Sequence, residues 1–350
     1  MSIATKARRV VVTGTGWQAP PSLEALLTSH APPAPPEITA FEIAEGLPTW
    51  GFEVLDLGLE RELPHIKSFV DRTSALALVA AKRALADAGL PQSASAWGEN
   101  TASLPPIGCA YGTMLGCLEA MGIFWHKVKN SNPKFAQPLP FTHGYANSPS
   151  SLMCIEFGLR GAAATFSGER LAGFEALLFA FDQIASGAAE IILAGASDSL
   201  TPAAHSHLYA SGQLSATGTW DNGTIPGEGA AMLVLESLQS AQRRGARIYA
   251  EVAAVELGAS LPIPPGGQPL TFASTQPHNQ PGRIAPRLYA GDMLAALPIL
   301  NAALAAKTLA GQALVSDTAP AAVENARAVG EDPGRQQGAA SFKKWVEETA

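Results

Sequence analysis

Charged residues are scarce in this sequence. Asp, Glu, Lys and Arg supply 15% of the 350 residues, while apolar residues supply 47%. That balance excludes a disordered tail protein and fits a compact chain with much buried helix and strand. Positive charge is the scarcer sign, with 23 Lys and Arg against 30 Asp and Glu. A net charge of −7 argues against a nucleic-acid surface. Cysteine is nearly absent. Cys109, Cys117 and Cys154 are an odd number without CxxC spacing, so neither a disulfide framework nor a zinc site is expected, and a reducing cytoplasm fits. Long apolar runs are also missing. The most apolar stretch, GFEALLFAFDQIASG, is broken by Glu175 and Asp182 and cannot span a bilayer cheaply. The first residues run straight into VVVTGTG without a secretory cleavage pattern. The glycines around 14–16 do not complete GxGxxG, so a dinucleotide site is not supported.

What is present alternates. Residues 8–14 read as a buried strand, and 18–64 as Pro-rich loop with short elements. A helix is predicted over 71–88, with Asp71 or Ser74 as its cap and Gly89 as its left-handed stop. A strand over 106–112, a helix over 114–128 and a polar, Pro-rich stretch over 130–150 follow. TFSGERLAGFEALLFAFDQIASG then opens with a short strand, turns at Gly168 and becomes a helix. Leu171, Phe174, Leu177, Leu178, Phe181 and Ile184 recur there at helical spacing. Strands are predicted over 190–197, 230–237 and 247–256. This alternation implies an α/β fold with a layered, largely covered sheet.

The remainder reads differently. Residues 258–287 hold seven prolines and no period, which predicts a long stretch without regular structure. A helix near 291–310 is interrupted by Pro298, and ALVSD (313–317) reads as a strand. A polar tail over 318–340 leads to a terminal amphipathic helix, SFKKWVEE. No internal sequence repeat is visible.

Several side chains invite a chemical reading. Ser167 lies in FSG rather than GxSxG, so a hydrolase elbow is absent. His205 and His207 alternate in a predicted loop or short strand. Without a third ligand at a telling spacing they read as solvated rather than metal-bound. His143, in PFTHGYAN, is a candidate pocket-lining residue. Glu228, between two glycines, reads as a buried structural carboxylate at a tight turn. Cys109 and Cys117 read as small buried hydrophobes. Leu118, Met121 and Trp125 share one face of the helix GCLEAMGIFWHKV and read first as simple core.

Five segments taken in order resemble the β-ketoacyl synthase family. They are RRVVVTGTG, DRTSALALVAAKRALADAGL, IGCAYGTMLG, GAAATFSGERLAGFEALLFAFDQIASGAAEIILAGASDS and GQLSATGTWDNGTIPGEGAAMLVLESLQSAQRRGARIYAEV. The resemblance covers about 1–255 and implies a thiolase-like fold of layered αβαβα type, built from two similar halves. The second half, 256–350, is shortened and carries the Pro-rich segment 258–287. In that family an elbow cysteine attacks an acyl thioester, and two histidines assist decarboxylation of malonyl carrier protein. Here the matching position is Arg170, which offers no lone pair and so is neither nucleophile nor general base. No HGT segment is present. The family's Gly-His segment resembles Gly291–Asp292, so the resemblance implies an Arg170–Asp292 pair in place of Cys–His.

Chain-length factors, which lack the cysteine and pair with an active ketosynthase, resemble this pattern in ERLAG (169–173). The resemblance then implies a non-condensing, cytoplasmic partner subunit of type II polyketide or fatty-acid-like biosynthesis, with an acyl carrier protein as second partner. It implies no catalytic residue, no cofactor, no metal, no nucleic acid and no membrane span. Leu118, Met121 and Trp125 would line the acyl tunnel. Two rivals stand beside this reading: a catalytically silent homodimer that binds acyl or carrier-protein ligands, and a malonyl decarboxylase acting around Arg170.

Overall fold

The computed structural model describes residues 7–28, 31–66, 69–131, 133–220, 223–259, 261, 269–273, 283–312, 323–332 and 336–346. Ten strands are formed: β1 Val10–Gln18, β2 Ile107–Thr113, β3 Ala163–Ser167, β4 Ile191–Asp198, β5 Gly229–Ser237, β6 Ala250–Gly258, β7 Leu270–Ala273, β8 Arg283–Ile284, β9 Asn325–Glu331 and β10 Gln337–Lys344. The helices are α1 Leu23–Leu27, α2 Leu59–Glu62, α3 Arg72–Asp87, α4 Leu118–Asn130, α5 Pro138–Thr142, α6 Ser148–Phe157, α7 Ala172–Ala185, α8 Pro202–Ala210, α9 Leu238–Arg243, α10 Arg287–Ala290 and α11 Ala296–Leu309.

The strand order is β3-β2-β4-β5-β1-β6-β10-β9-β7-β8. Read outward from the β1/β6 joint, one pairing scheme occurs twice. β1 and β5 are antiparallel, as are β5 and β4, whereas β4–β2 and β2–β3 are parallel. β6–β10 and β10–β9 repeat the antiparallel steps, and β9–β7 and β7–β8 the parallel ones. The chain is therefore two similar halves, although no sequence repeat announces it. The halves join where Val10–Val12 pair with Ala250–Val252, and a register shift between Val12 and Gly14 ends that pairing. A bulge there bends β1 away from the second set of strands.

Both faces of β4 are buried, which is why it reads as a continuous apolar run. Along it, Ile191 and Leu193 face a cluster with α3 and α6, while Ile192 and Ala194 face α7 and α11. α7 follows β3 and α11 follows β8, so the two helices hold equivalent places in the two halves. They pack together between the sheets at Gly173, where an added Cβ would lie 2.3 Å from the Ala295 carbonyl oxygen. α3, between β1 and β2, starts at the Asp71 cap, which accepts from Thr73 N, and stops at Gly89, φ +66°. No counterpart of α3 lies between β6 and β7 among the described residues.

Five expectations are corrected. SFKKWVEE is no helix where it is described. Ser341–Lys344 belong to β10, held between β6 and β9, because backbone pairing on both sides outweighs a short segment's helical pattern. The polar tail holds β9 and the first half of β10, and the Pro-rich stretch contains β7 and β8. The stretch 130–150 includes α5 and the start of α6, each with Pro in its first turn, where a missing N–H costs nothing. Pro298 likewise sits in the first turn of α11 and does not interrupt it. The strand expected at 313–317 lies outside the described residues.

Candidate functional site around Arg170 and Asp292

β3 ends at Ser167, and the chain turns through 168–171 into α7. β2 runs so close to this turn that a Cβ on Gly112 would lie 2.3 Å from the Ala172 carbonyl oxygen. The turn directs Arg170 toward the segment before α11, where Gly291 takes φ +72°. Arg170 Nε and Nη2 donate to Asp292 Oδ2 at 3.0 and 2.8 Å. The two side chains are 11% and 12% exposed. Burial pushes the guanidinium down, and the Asp292 charge and hydrogen bonds more than offset this, holding it above its ordinary value.

Asp292 is itself fixed from three sides. Its Oδ1 accepts from Leu294 N at 3.1 Å. Its backbone N–H donates to Ile225 O, and its carbonyl accepts from Gly227 N. Leu294 has φ +51°, the sole positive value at a non-glycine among the described residues, a conformation that costs energy and persists only where the surroundings impose it. Asp198, at the end of β4, ties the two halves together. It accepts from Thr113 Oγ1, Met114 N, Leu115 N and Ala295 N. Burial outweighs these hydrogen bonds and pushes its carboxyl up to about 6.

A cavity of about 350 Å³ opens beside the pair, between Arg170, Asp292 and Arg287 and an apolar wall of Leu294, Leu297 and Pro298. Its described lining contains no Cys, His, Ser or Lys. Among the described residues no group of three His, Cys, Asp or Glu is placed to hold a metal.

The other candidates are scattered. Leu118, on α4, borders a separate cavity of about 370 Å³ with Phe41, Ile123 and Leu200. Met121 and Trp125 do not line it. The simple-core reading fails for Trp125, which is 51% exposed; within α4, Ala120 alone is buried. The Trp125 ring meets Phe124 edge-on, and Phe124 leads to Phe141 and then Tyr145 at centroid distances of 5.0 and 5.3 Å. This ladder, with Phe135, Leu139 and Ile123, forms an exposed apolar surface. His205 is not a solvated loop residue. It sits on α8, 2% exposed, with Nε2 2.9 Å from Pro48 O, and burial pushes its pKa down. His207 is on the same helix, exposed. His143 ends α5 and packs edge-on against Phe69. Ser167 is exposed at the end of β3.

Glu228 is fully buried and accepts from Arg72, Val54 N and Leu200 N. Cys109 and Cys117 are buried, and burial pushes the Cys117 thiol up. Asp198, Arg287 and the strained Leu294 were not singled out by sequence. Asp198 had one available signal, a carboxylate closing a strand that is otherwise apolar throughout.

The sequence matches the description "Beta-ketoacyl synthase, N-terminal domain" over residues 51–241. It is 29% identical to the ketoacyl synthase alpha subunit of the tetracenomycin polyketide synthase of Streptomyces glaucescens, over 70% of this chain and 61% of that relative. The chain thus spans less than two thirds of that relative's length. The fold is similar to the ishigamide ketosynthase/chain length factor, with a TM-score of 0.78 at 21% identity, covering 97% of this chain and 100% of that one. It is also similar to a type II polyketide synthase acyl-carrier protein in complex with its ketosynthase bound to the hexaketide, with a TM-score of 0.69 at 19% identity, covering 97% and 100%. No helix among the described residues is long and apolar enough to cross a membrane. With the family match covering more than half of its length and the thiolase-like architecture repeated in both halves, the chain belongs to the β-ketoacyl synthase family.

Proposed function

We propose that this chain is a non-condensing ketosynthase-like subunit, a chain-length factor, that pairs with an active ketosynthase acting on chains carried by an acyl carrier protein. One observation carries the reading: Arg170 and Asp292 are hydrogen-bonded to each other at the strand–turn–helix where the resemblance puts the nucleophile and a histidine. A protonated guanidinium locked to a carboxylate supplies neither a lone pair nor a transferable proton. In this reading the half 1–255 carries the partner interface, and the shortened half 256–350 backs the site.

Surface chemistry supports a partner. The outer edge of β3 is unpaired among the described residues, and a ladder of partly exposed rings runs from Trp125 on α4 to Tyr145 just after α5. A parallel edge strand and an exposed aromatic surface are costly to leave in water. Leu118, Met121 and Trp125 then act from the partner's side of the tunnel, setting the length of the growing chain. The test is condensation with purified components. Carbon–carbon bond formation from acyl and malonyl carrier protein is expected only when both subunits are present. Turnover by this chain alone would refute the proposal. A stable homodimer that binds an acyl chain and ignores the ketosynthase would favour the silent binding protein.

A further inference from the structure

The Arg170–Asp292 pair uses one edge of the guanidinium. Its two hydrogen bonds to Asp292, from Nε and Nη2, end on the same oxygen, Oδ2. Asp292 Oδ1 is turned away to Leu294 N. Arg170 Nη1 is buried and finds no hydrogen-bond partner among the described residues. A buried guanidinium N–H without an acceptor costs about 1–3 kcal/mol. The Arg170 side chain lines the 350 Å³ cavity, and so does Arg287, whose guanidinium is stacked 4.9 Å from the Trp220 ring centre. Burial pushes Arg287 down and the Asp292 charge pushes it up. The opposite wall is apolar: Leu294, held at φ +51°, with Leu297 and Pro298. The part-exposed Glu331 and Asp332 also line the cavity.

From this geometry we infer that the cavity is a binding site for a short-chain monocarboxylate. Its carboxylate meets the free Nη1 edge of Arg170, and its alkyl end packs on Leu294, Leu297 and Pro298. A planar carboxylate matches the guanidinium fork. The Glu331 and Asp332 carboxylates disfavour the higher charge of phosphate, and the apolar wall rewards added methylenes, at about 0.8 kcal/mol each when fully buried. Asp292 acts as a positioning residue that fixes Arg170 without occupying its second edge. No bond is made or broken. This site is independent of the partner-subunit reading, because it concerns binding to the isolated chain.

The test is titration of the full chain with butyrate, acetate and inorganic phosphate, followed by calorimetry and by 13C-butyrate NMR line broadening. Saturable butyrate binding is expected, tighter than acetate by about tenfold, with phosphate weaker than both. Arg170→Met with Asp292→Leu removes both charges together and preserves packing volume; this double variant is expected to fold and to lose at least about tenfold in butyrate affinity. Leu297→Ala, which leaves both charges in place, is expected to narrow the gap between butyrate and acetate. Absence of saturable binding to the wild-type chain at concentrations up to about 50 mM, or unchanged affinity in the folded double variant, would overturn the inference.

Discussion

Removing Arg170 alone and removing the Arg170–Asp292 pair as a unit differ in expected cost. Truncating one member of a buried ion pair leaves an uncompensated charge and costs about 3–5 kcal/mol when burial is complete. Here the side chains are 11% and 12% exposed, so water relaxes part of that penalty, and Arg170→Met is expected to cost about 2–4 kcal/mol. Asp292→Leu loses the acceptor of Leu294 N as well, and about 1–3 kcal/mol for that stranded amide enters its cost. Asp292→Asn keeps an oxygen for Leu294 N and is expected to be milder. The double variant, Arg170→Met with Asp292→Leu, is expected to be more stable than the sum of the single variants by about 1–3 kcal/mol. Urea unfolding of the four proteins, read as midpoint shifts at constant slope, gives the cycle directly. Additive single effects, or an Arg170→Met cost below about 0.5 kcal/mol, would show that the pair is a surface contact and refute the reasoning.

Other outcomes follow from neighbouring geometry. Asp198 is buried with its carboxyl raised to about 6 from 3.8. The native state therefore holds a proton that the unfolded chain has lost, and this group's contribution to stability falls as pH rises from about 4 to about 6, by at most about 3 kcal/mol. Asp198→Asn should abolish that slope, read as the wild-type minus variant difference in unfolding midpoint across pH 4–7; an unchanged difference counts against it. Glu228→Ala strands Arg72 and two buried amides and is expected to cost about 3–5 kcal/mol in the same assay. Gly227→Ala puts a Cβ 2.2 Å from the Ala290 carbonyl oxygen; it should displace the Asp292 loop and lower the thermal midpoint, whereas an unchanged midpoint would mean the loop yields freely. Trp125→Ala should leave the isolated chain's stability within about 0.5 kcal/mol, since the ring is half exposed, yet change product length when the ketosynthase is present.

The first half was legible in the sequence because its elements obey local rules. The 71–88 helix has its Asp71 cap and Gly89 stop, and α7 has its helical apolar spacing. α6 escaped notice because SPSSLMCIEF looks like a loop until Pro149 is placed in the first turn and Gly158 at the left-handed end. The second half was harder. β9 and β10, NARAVGE and QGAASFKK, are poor in β-branched residues and are strands because β6 and β7 flank them; such pairing is tertiary and invisible along the chain. The site was half legible. Arg170 and Asp292 stand out as the wrong residues at two positions of a resembling pattern, while the free Nη1 edge, the strain at Leu294 and the tie through Asp198 depend on how two halves meet.

The central claim, that this chain supports condensation without performing it, is tested most directly by native mass spectrometry of the chain co-expressed with a type II polyketide ketosynthase from the same organism. Malonyl-carrier turnover is then measured for each chain alone and for the complex. The account predicts a one-to-one complex that forms carbon–carbon bonds, no such activity from this chain alone, and none from its Arg170→Cys variant alone, because the described cavity lining offers no histidine. Condensation by the isolated wild-type chain, or a homodimer that excludes the ketosynthase, would contradict it.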